Sequence, residues 1–251
     1  MELIAVANNK GGSGKTTTAV NLSAYLALLG KHTLLIDMDP QAAATSGVGI
    51  DEWNLEKTIY DALTNLSIPE VAIHTTIKGL TIVPANLYLS VAEVELASQL
   101  GRELILSKKV QKLNGYDYVI IDTPPYFGII TMNALVACST ILVPIQAEYY
   151  AMRGMTQLLQ VVSMVEERMD VSIKRRYLLT MFDSRTKLSK DVVEQVREHF
   201  KEAVFKTMIP RNVRLAEAPS SGKPICIYDP ESAGALAYKQ LAEEVIECLG
   251  A

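Results

Sequence analysis

The strongest constraint on this chain is a series of short, uninterrupted apolar runs rich in β-branched residues, each followed by a longer stretch with helical spacing. The runs cover 3–7, 33–36, 80–83, 118–121, 140–143 and 177–180. A strand that is apolar on both faces needs both faces covered, as in a parallel sheet layered by helices. The helical stretches 17–29, 90–106, 156–169, 187–201 and 233–249 supply that cover. Ser90 and Glu93, three residues apart, form a capping-box pattern that predicts a helix start at Ser90. This alternation predicts a doubly wound α/β fold, with a mostly parallel sheet and helices on both faces. No repeat and no Gly/Ser- or Pro-rich linker divides the 251 residues, so 1–251 reads as a single domain. In such folds ligands gather at the carboxyl ends of strands, so the residues after each strand carry the functional information.

The first strand runs into Asn8-Asn9-Lys10-Gly11-Gly12-Ser13-Gly14-Lys15-Thr16-Thr17 and then a helix. That is the strand–loop–helix setting of a phosphate-binding loop, as in the P-loop NTPases. Glycine permits positive φ and close approach of backbone to ligand. The loop N–H groups form a nest, and the positive end of the helix dipole faces the anion. Lys10, Gly11, Gly12, Ser13, Gly14, Lys15, Thr16 and Thr17 are therefore the candidate phosphate-binding residues. Lys15 is expected to reach the β- and γ-phosphates of ATP, and the Thr16 hydroxyl to coordinate Mg2+.

Two further strand ends carry carboxylates: Leu35-Ile36-Asp37-Met38-Asp39-Pro40-Gln41 and Ile120-Ile121-Asp122-Thr123-Pro124-Pro125. An acid at the end of an apolar strand beside such a loop can hold Mg2+ or its water shell. Asp122 fits that role, and Asp39 is placed to orient or deprotonate the attacking water. Thr16, Asp39 and Asp122 form the expected metal set. Adenine is expected on the loop after a strand ending near Ile209, where Met208, Pro210 and Asn212 offer an apolar shelf and amide hydrogen bonds.

The general spacing GxxxxGK[ST] puts glycine where this chain has Asn9, and Lys10 is an additional lysine. A second lysine inside a phosphate loop is a costly charge unless it meets an anion. The stretch Lys10-Gly11-Gly12-Ser13-Gly14-Lys15-Thr16 is similar to the deviant phosphate loop of the ParA/MinD superfamily. Asp37-Met38-Asp39-Pro40-Gln41 with Ala44-Thr45-Ser46-Gly47, Asp122-Thr123-Pro124-Pro125 and Glu148-Tyr149-Tyr150-Ala151 resemble the ParA/Soj partitioning ATPases of chromosomes and plasmids. So do Ile209-Pro210-Arg211-Asn212-Val213-Arg214, Glu217-Ala218-Pro219-Ser220, and Gly222-Lys223-Pro224 with Tyr228-Asp229. Because the loop begins so near residue 1, the chain resembles the short, Soj-like type without an added N-terminal DNA-binding region.

That resemblance implies a weak Mg2+-dependent ATPase that passes from a monomer to an ATP-sandwiched homodimer. Lys10 would reach the partner's nucleotide and join Lys15, Asp39 and Asp122 as the catalytic set. The dimer would bind DNA without sequence preference, and a ParB-like centromere-binding partner would stimulate hydrolysis and release. The family's DNA-contacting arginines fall on Arg185 and Arg214, to which Lys187, Lys206 and Lys223 are added. The chain departs from the family in Ser13 for the usual Val, Ala42-Ala43 for Gly-Asn, and Tyr126-Phe127 for Ser-Leu. Ser13 is expected to leave phosphate binding intact. The Ala42-Ala43 change is expected to bear on dimerisation or hydrolysis.

Charge agrees with a polyanion partner. Net charge is −4, yet residues 171–224 hold 12 Lys/Arg against 6 Asp/Glu, a basic third on an acidic body. Lys and Arg contacts to phosphate are sequence-blind and salt-sensitive. The alternative is a MinD-like ATPase that positions a protein or membrane assembly. Membrane attachment calls for a C-terminal amphipathic helix with a basic polar face. Residues 238–249 carry mostly acidic charge, which an anionic bilayer repels, and their apolar stripe reads as a core-packing face. No membrane partner is therefore expected.

An iron–sulfur carrier needs two thiolates from each subunit of a dimer. Cys138, Cys226 and Cys248 stand far apart, and Cys138 reads as a buried small hydrophobe. Lys15, Thr16, Asp39 and Asp122 are all present, so nothing argues for a non-catalytic scaffold. His32, His74 and His199 are isolated, and Trp53 is given no role. Tyr149 and Tyr150 are adjacent, so at most one can stack on a base. With no basic leader and no apolar run of ~18 residues, the expected location is cytoplasmic; the DNA binding that the resemblance implies adds association with the nucleoid.

Overall fold

In the computed structural model, which describes residues 1–148 and 151–250, the apolar runs are strands buried at nearly every position. They are β1 (Glu2–Val6), β2 (Thr33–Asp37), β3 (Ile73–His74), β4 (Leu80–Val83), β5 (Tyr118–Asp122), β6 (Thr140–Gln146), β7 (Lys174–Phe182) and β8 (Val204–Pro210). They form one sheet in the order β3-β4-β2-β5-β1-β6-β7-β8. Every pairing is parallel except that of the two-residue β3 with β4. The expected doubly wound α/β architecture is the one observed.

Successive strand residues face opposite layers. Ala5, Ile36, Val119, Ile121 and Val143 enter one apolar cluster, while Ile4, Val6, Leu35, Ile120 and Leu142 enter the other. The first layer is closed by the helices Ile129–Ala137, Ala151–Met169 and Lys187–Phe200. The second is closed by Lys15–Leu28 and Ala233–Leu249. The C-terminal helix buries Ala235, Tyr238, Leu241, Ala242 and Val245, and the Tyr238 hydroxyl meets the Thr18 hydroxyl at 3.1 Å. Its apolar stripe is a core face, as its spacing predicts. No helix among the described residues is long and apolar enough to cross a membrane.

The single helix expected over 90–106 is instead broken into Leu89–Glu95, the tight turns Leu96–Ser98 and Arg102–Leu104, and a last helix Ile105–Val110. Gly101, at φ +67, makes the break. Buried Asn133 repairs it: its Oδ1 accepts from Leu106 N–H at 3.0 Å, and its Nδ2 donates to the carbonyls of Arg102 (2.8 Å) and Ile129 (2.9 Å). The capping box at Ser90 and Glu93 does not form either. The Ser90 hydroxyl donates back to the Leu87 carbonyl, and Glu93 turns to a different helix. Cys138 is buried, burial pushes its thiol up to about 12, and it packs as a hydrophobe. His32, His74 and His199 are exposed, and Tyr149 and Tyr150 lie outside the described residues.

Asn133→Ala strands the buried Leu106 N–H and takes the side-chain donor from the Arg102 carbonyl. It is expected to cost about 2–4 kcal/mol, read as a lower urea midpoint with an unchanged slope.

Candidate active site

Parallel pairing brings the carboxyl ends of β1, β2, β5, β6, β7 and β8 to one edge, and that edge holds the phosphate loop. Val6 and Asp37 both stand beside Asp122 in the strand register, so the loop and the carboxylates are neighbours by construction. The loop itself is strapped down by side chains from elsewhere. Asn8 Nδ2 donates to the Pro144 carbonyl at 2.7 Å, and its Oδ1 accepts from Lys10 N–H at 3.0 Å. Gln146 Nε2 donates to the Gly12 carbonyl at 2.7 Å, and Thr180 Oγ1 to the Ser13 carbonyl at 2.9 Å.

A planar trans peptide points its N–H opposite its C=O. With the carbonyls of Gly12 and Ser13 tied to the scaffold, the N–H groups of Ser13 and Gly14 face away from it, toward the space an anion would fill. Gly12 (φ +70) and Gly14 (φ +91) sit in the left-handed region this curvature requires. The helix Lys15–Leu28 starts directly after them. Gly11 is exposed, and Thr16 and Thr17 are half-buried at the helix start.

Lys15 is 7% exposed, and its ammonium reaches the Lys10 carbonyl at 3.4 Å. Burial lowers its pKa, while the charges of Asp122 and Asp39 act the other way. Lys10 is half-exposed and meets Glu148 at 3.6 Å. The additional lysine thus has an anion within the same chain, in an exposed pair of little energetic weight.

Asp122 is fully buried, and neither of its oxygens has a hydrogen-bond partner. Burial raises its pKa well above the carboxylate range; Asp37 and Asp39 add to that, and the Thr16 hydroxyl and Lys15 oppose it. Asp37 is also fully buried, but it is satisfied. It accepts from Thr45 N–H (2.8 Å), the Thr45 hydroxyl (2.7 Å) and Asp39 N–H (3.1 Å). Burial still pushes it up to about 6. Asp39 is half-buried and accepts from Gln41 N–H through one oxygen at 2.9 Å.

The three carboxylates therefore divide their work: Asp37 holds the segment that follows β2, while Asp122 presents bare oxygens beside Thr16 and Asp39. Such hard oxygen donors suit Mg2+, which takes only one or two protein ligands and fills its other positions with water and phosphate. Among the described residues no group of three or more His, Cys, Asp or Glu side chains forms a closed metal cage. The donor set fits an ion shared with a bound phosphate.

Beside Gly14 and Thr17 opens a cleft of about 330 Å³, lined also by Thr180, Met181, Pro210 and Asn212. Met208 does not line it. Strand alternation turns Met208 to the opposite layer, where it packs on the core, and puts Ile209 on the cleft side. Asn212 caps the helix Val213–Glu217, its Oδ1 accepting from Arg214 N–H (2.8 Å) and Leu215 N–H (3.3 Å). That leaves its NH2 as the group for a ligand.

The basic residues divide. Arg185, Lys187, Arg214 and Lys223 are exposed and follow β7 and β8 at the same edge as the loop. Lys206 does not join them; it is four residues before the end of β8, about 13 Å away along the strand. Both arginines are engaged. Arg185 makes two contacts to Asp183 (2.9 and 2.7 Å), which hold that carboxyl down at about 2. Arg214 pairs with Glu217 at 3.0 Å and Asp229 at 3.2 Å.

Sequence reading overlooked Asn8, Gln146 and Thr180 as loop supports. Gln146 carried a signal, since it is a polar residue closing an apolar strand, as Asp122 is. Both departures from the family pattern near the loop have structural consequences. Ala42 sits at φ +54, a left-handed conformation that costs a non-glycine residue about 1–2 kcal/mol. The Ser13 hydroxyl is buried with no partner.

A parallel sheet with a lysine-bearing glycine loop after one strand and carboxylates ending two others defines the phosphate-loop class of α/β nucleotide-binding proteins. A family model described as an AAA domain matches residues 1–175. The chain is 47% identical to the sporulation initiation inhibitor protein Soj of Bacillus subtilis over 247 residues, covering 97% of this chain and 98% of that one. It is 45% identical to the chromosome-partitioning ATPase Soj of Treponema pallidum over 242 residues, covering 95% and 94%. This chain belongs to the ParA/Soj family. Among solved structures, a Mycobacterium smegmatis protein described as cobyrinic acid a,c-diamide synthase, with bound ADP and magnesium, superposes with a TM-score of 0.84. It is 35% identical, with 97% of this chain and 93% of that one covered. The Pyrococcus furiosus cell division ATPase MinD shares the fold at a TM-score of 0.78 and 23% identity, with 98% of both chains covered.

Ser13→Ala removes the unpartnered hydroxyl and adds no atom to the buried site. It is expected to stabilise the protein by about 1 kcal/mol, visible as a rise of a few degrees in Tm.

Proposed function

We propose that this chain is a Mg2+-dependent ATPase of slow intrinsic turnover that closes into a homodimer around ATP. In that state it binds DNA without sequence preference, and a ParB-like partner stimulates hydrolysis and release. The observation that carries this reading is Asp122. A buried carboxylate with both oxygens unpartnered, one strand from a loop lysine, is costly unless a cation completes it. The names of the Soj relatives and the ADP- and magnesium-bound neighbour support the same assignment.

In this reading the N–H groups of 11–16 and the Lys15 ammonium hold the phosphates. The Thr16 hydroxyl, Asp122 and Asp39 would hold the ion, which would supply neutralisation of the charge that develops on the transferred phosphoryl group. Asp39 uses one oxygen on Gln41 and keeps the second to orient the water and take its proton. Pro210 and the Asn212 amide meet the base in the adjoining cleft. Lys10 leaves its exposed pair with Glu148 at little cost to reach the nucleotide of a second copy.

Arg185 and Arg214 exchange carboxylates for DNA phosphates, with Lys187 and Lys223 beside them, which places the protein on the nucleoid. Lys206, apart from this group, contributes least. A MinD-like membrane role is disfavoured, because the apolar stripe of the C-terminal helix is spent on the core.

Co-sedimentation with DNA is expected with ATP, and not with ADP or without nucleotide, weakening as salt rises. Binding in no state while ATP is still hydrolysed would overturn the DNA reading. Arg214→Glu is expected to weaken DNA binding roughly tenfold and leave nucleotide affinity unchanged, as phosphate contacts predict. Lys15→Ala is expected to abolish ATP binding, whereas Asp39→Ala accumulates an ATP-bound dimer on gel filtration; normal turnover in Asp39→Ala would refute its role at the water.

A further inference from the structure

Glu93 belongs to the helix Leu89–Glu95, yet its carboxylate serves another. One oxygen accepts from Ile129 N–H at 3.0 Å and the other from Ile130 N–H at 3.3 Å. These are first-turn donors of the helix Ile129–Ala137, whose N-cap is Gly128, a residue with no side chain to offer. A Cβ on Gly128 would overlap both Glu93 oxygens, so glycine at 128 makes room for the acid. Gly128 itself has φ −94, which any residue adopts. Its role is space and not backbone freedom.

Helix caps are normally local, from Ser, Thr, Asp or Asn at the N-cap. Here the cap comes from 36 residues upstream, and what it closes is the segment 123–128 that leads away from Asp122. That segment is pinned at three points. The Thr123 hydroxyl donates to the Val6 carbonyl at 2.8 Å, tying its start to the strand that enters the phosphate loop. The Thr131 hydroxyl donates to the Tyr126 carbonyl at 2.6 Å. Glu93 holds its far end and is the only charged group of the three, making the stronger, charge-assisted kind of hydrogen bond.

Tyr126, in the middle of the segment, has an exposed side chain; it is tied to the clamped helix through its backbone carbonyl, the acceptor of the Thr131 hydroxyl. Glu93 in turn sits on a helix fixed from behind by buried Leu89 and Ala92 and by the Tyr60 hydroxyl bonded to Glu95 at 2.9 Å. The clamp therefore has a rigid base on one side and the carboxylate segment on the other.

We propose that Glu93 is a positioning residue for ATP turnover: it holds the 123–128 segment so that Asp122, which that segment directly follows, keeps its place beside the phosphate loop. The inference rests on the ATPase reading above. It separates Glu93 from the binding residues, because the phosphate loop is held by Asn8, Gln146 and Thr180 without it. Loss of the clamp lowers kcat and leaves the nucleotide bound.

The test compares Glu93→Ala, Glu93→Gln and Gly128→Ala, each assayed for ATP hydrolysis and for binding of a fluorescent ATP analogue well below its unfolding temperature. Glu93→Ala and Gly128→Ala are expected to lower kcat roughly tenfold with KM and analogue affinity within about twofold of the original. Glu93→Gln keeps one acceptor and falls between. The pair Glu93→Ala/Gly128→Ala is expected to be no worse than the poorer single variant, since both remove one interaction. If Glu93→Ala fails to fold, Gly128→Ala and Glu93→Gln decide the matter.

Turnover within about twofold of the original in the folded variants overturns the positioning role and leaves the ATPase reading standing. A fall in analogue affinity matching the fall in turnover also overturns it. No hydrolysis by the unsubstituted protein overturns the ATPase reading, and this inference with it.

Discussion

The structure turns on a buried carboxylate. Asp122 ends the central strand with no solvent and no hydrogen-bond donor on either oxygen, next to Asp37 on one strand and beside the loop lysine that follows the other. Burying a carboxyl group with no hydrogen-bond partner is expensive, so the surroundings must be rigid enough to keep it there. The parallel sheet supplies that rigidity. Its register fixes Val6, Asp37 and Asp122 side by side, and two apolar layers hold the register. The free energy of folding is thereby set against the cost of a preorganised charge cluster, the arrangement by which active sites gain electrostatic leverage.

Around that centre each polar group has a separate task. Asp37 commits both oxygens to Thr45 and Asp39, and so fixes the turn after β2. Gln146 and Thr180 donate to the loop carbonyls of Gly12 and Ser13 and turn them inward, while Asn8 accepts from the Lys10 N–H. Asp39 is half-satisfied and half-available. The left-handed Ala42 and the unpartnered Ser13 hydroxyl are local costs next to this cluster, placed where strain commonly accompanies function. The surface arginines follow the same economy of partners. Arg185 and Arg214 are paired with carboxylates, so the proposed contact with a phosphate backbone would displace existing contacts and not fill vacant ones.

Much of the fold was legible from spacing alone, because the information was local. Apolar runs gave strands, the 3.6-residue period gave the helices Lys187–Phe200 and Ala233–Leu249 within a residue of expectation, and carboxylates at two strand ends stood where sequence placed them. The misses were non-local. The expected helix over 90–106 failed at Gly101, and its apparent capping acid was already committed to residues 129 and 130. Met208 was expected beside the base because it is near the right strand end. One step of strand alternation turned it to the opposite layer, where it packs half-buried against the core.

By itself, the sequence determined the class of fold, the phosphate loop and the candidate residues around it, since each depends on residue types a few positions apart. The tertiary structure alone decided which of them are free to act. It showed Asp122 bare and Asp37 satisfied, although both are aspartates ending apolar strands. It tied Lys10 to Glu148, Arg214 to Asp229, and Glu93 to a helix across the chain. The reason is physical: a side chain's chemistry is written in its own residue, but its solvation and partners are set by groups that only the packed sheet brings within reach.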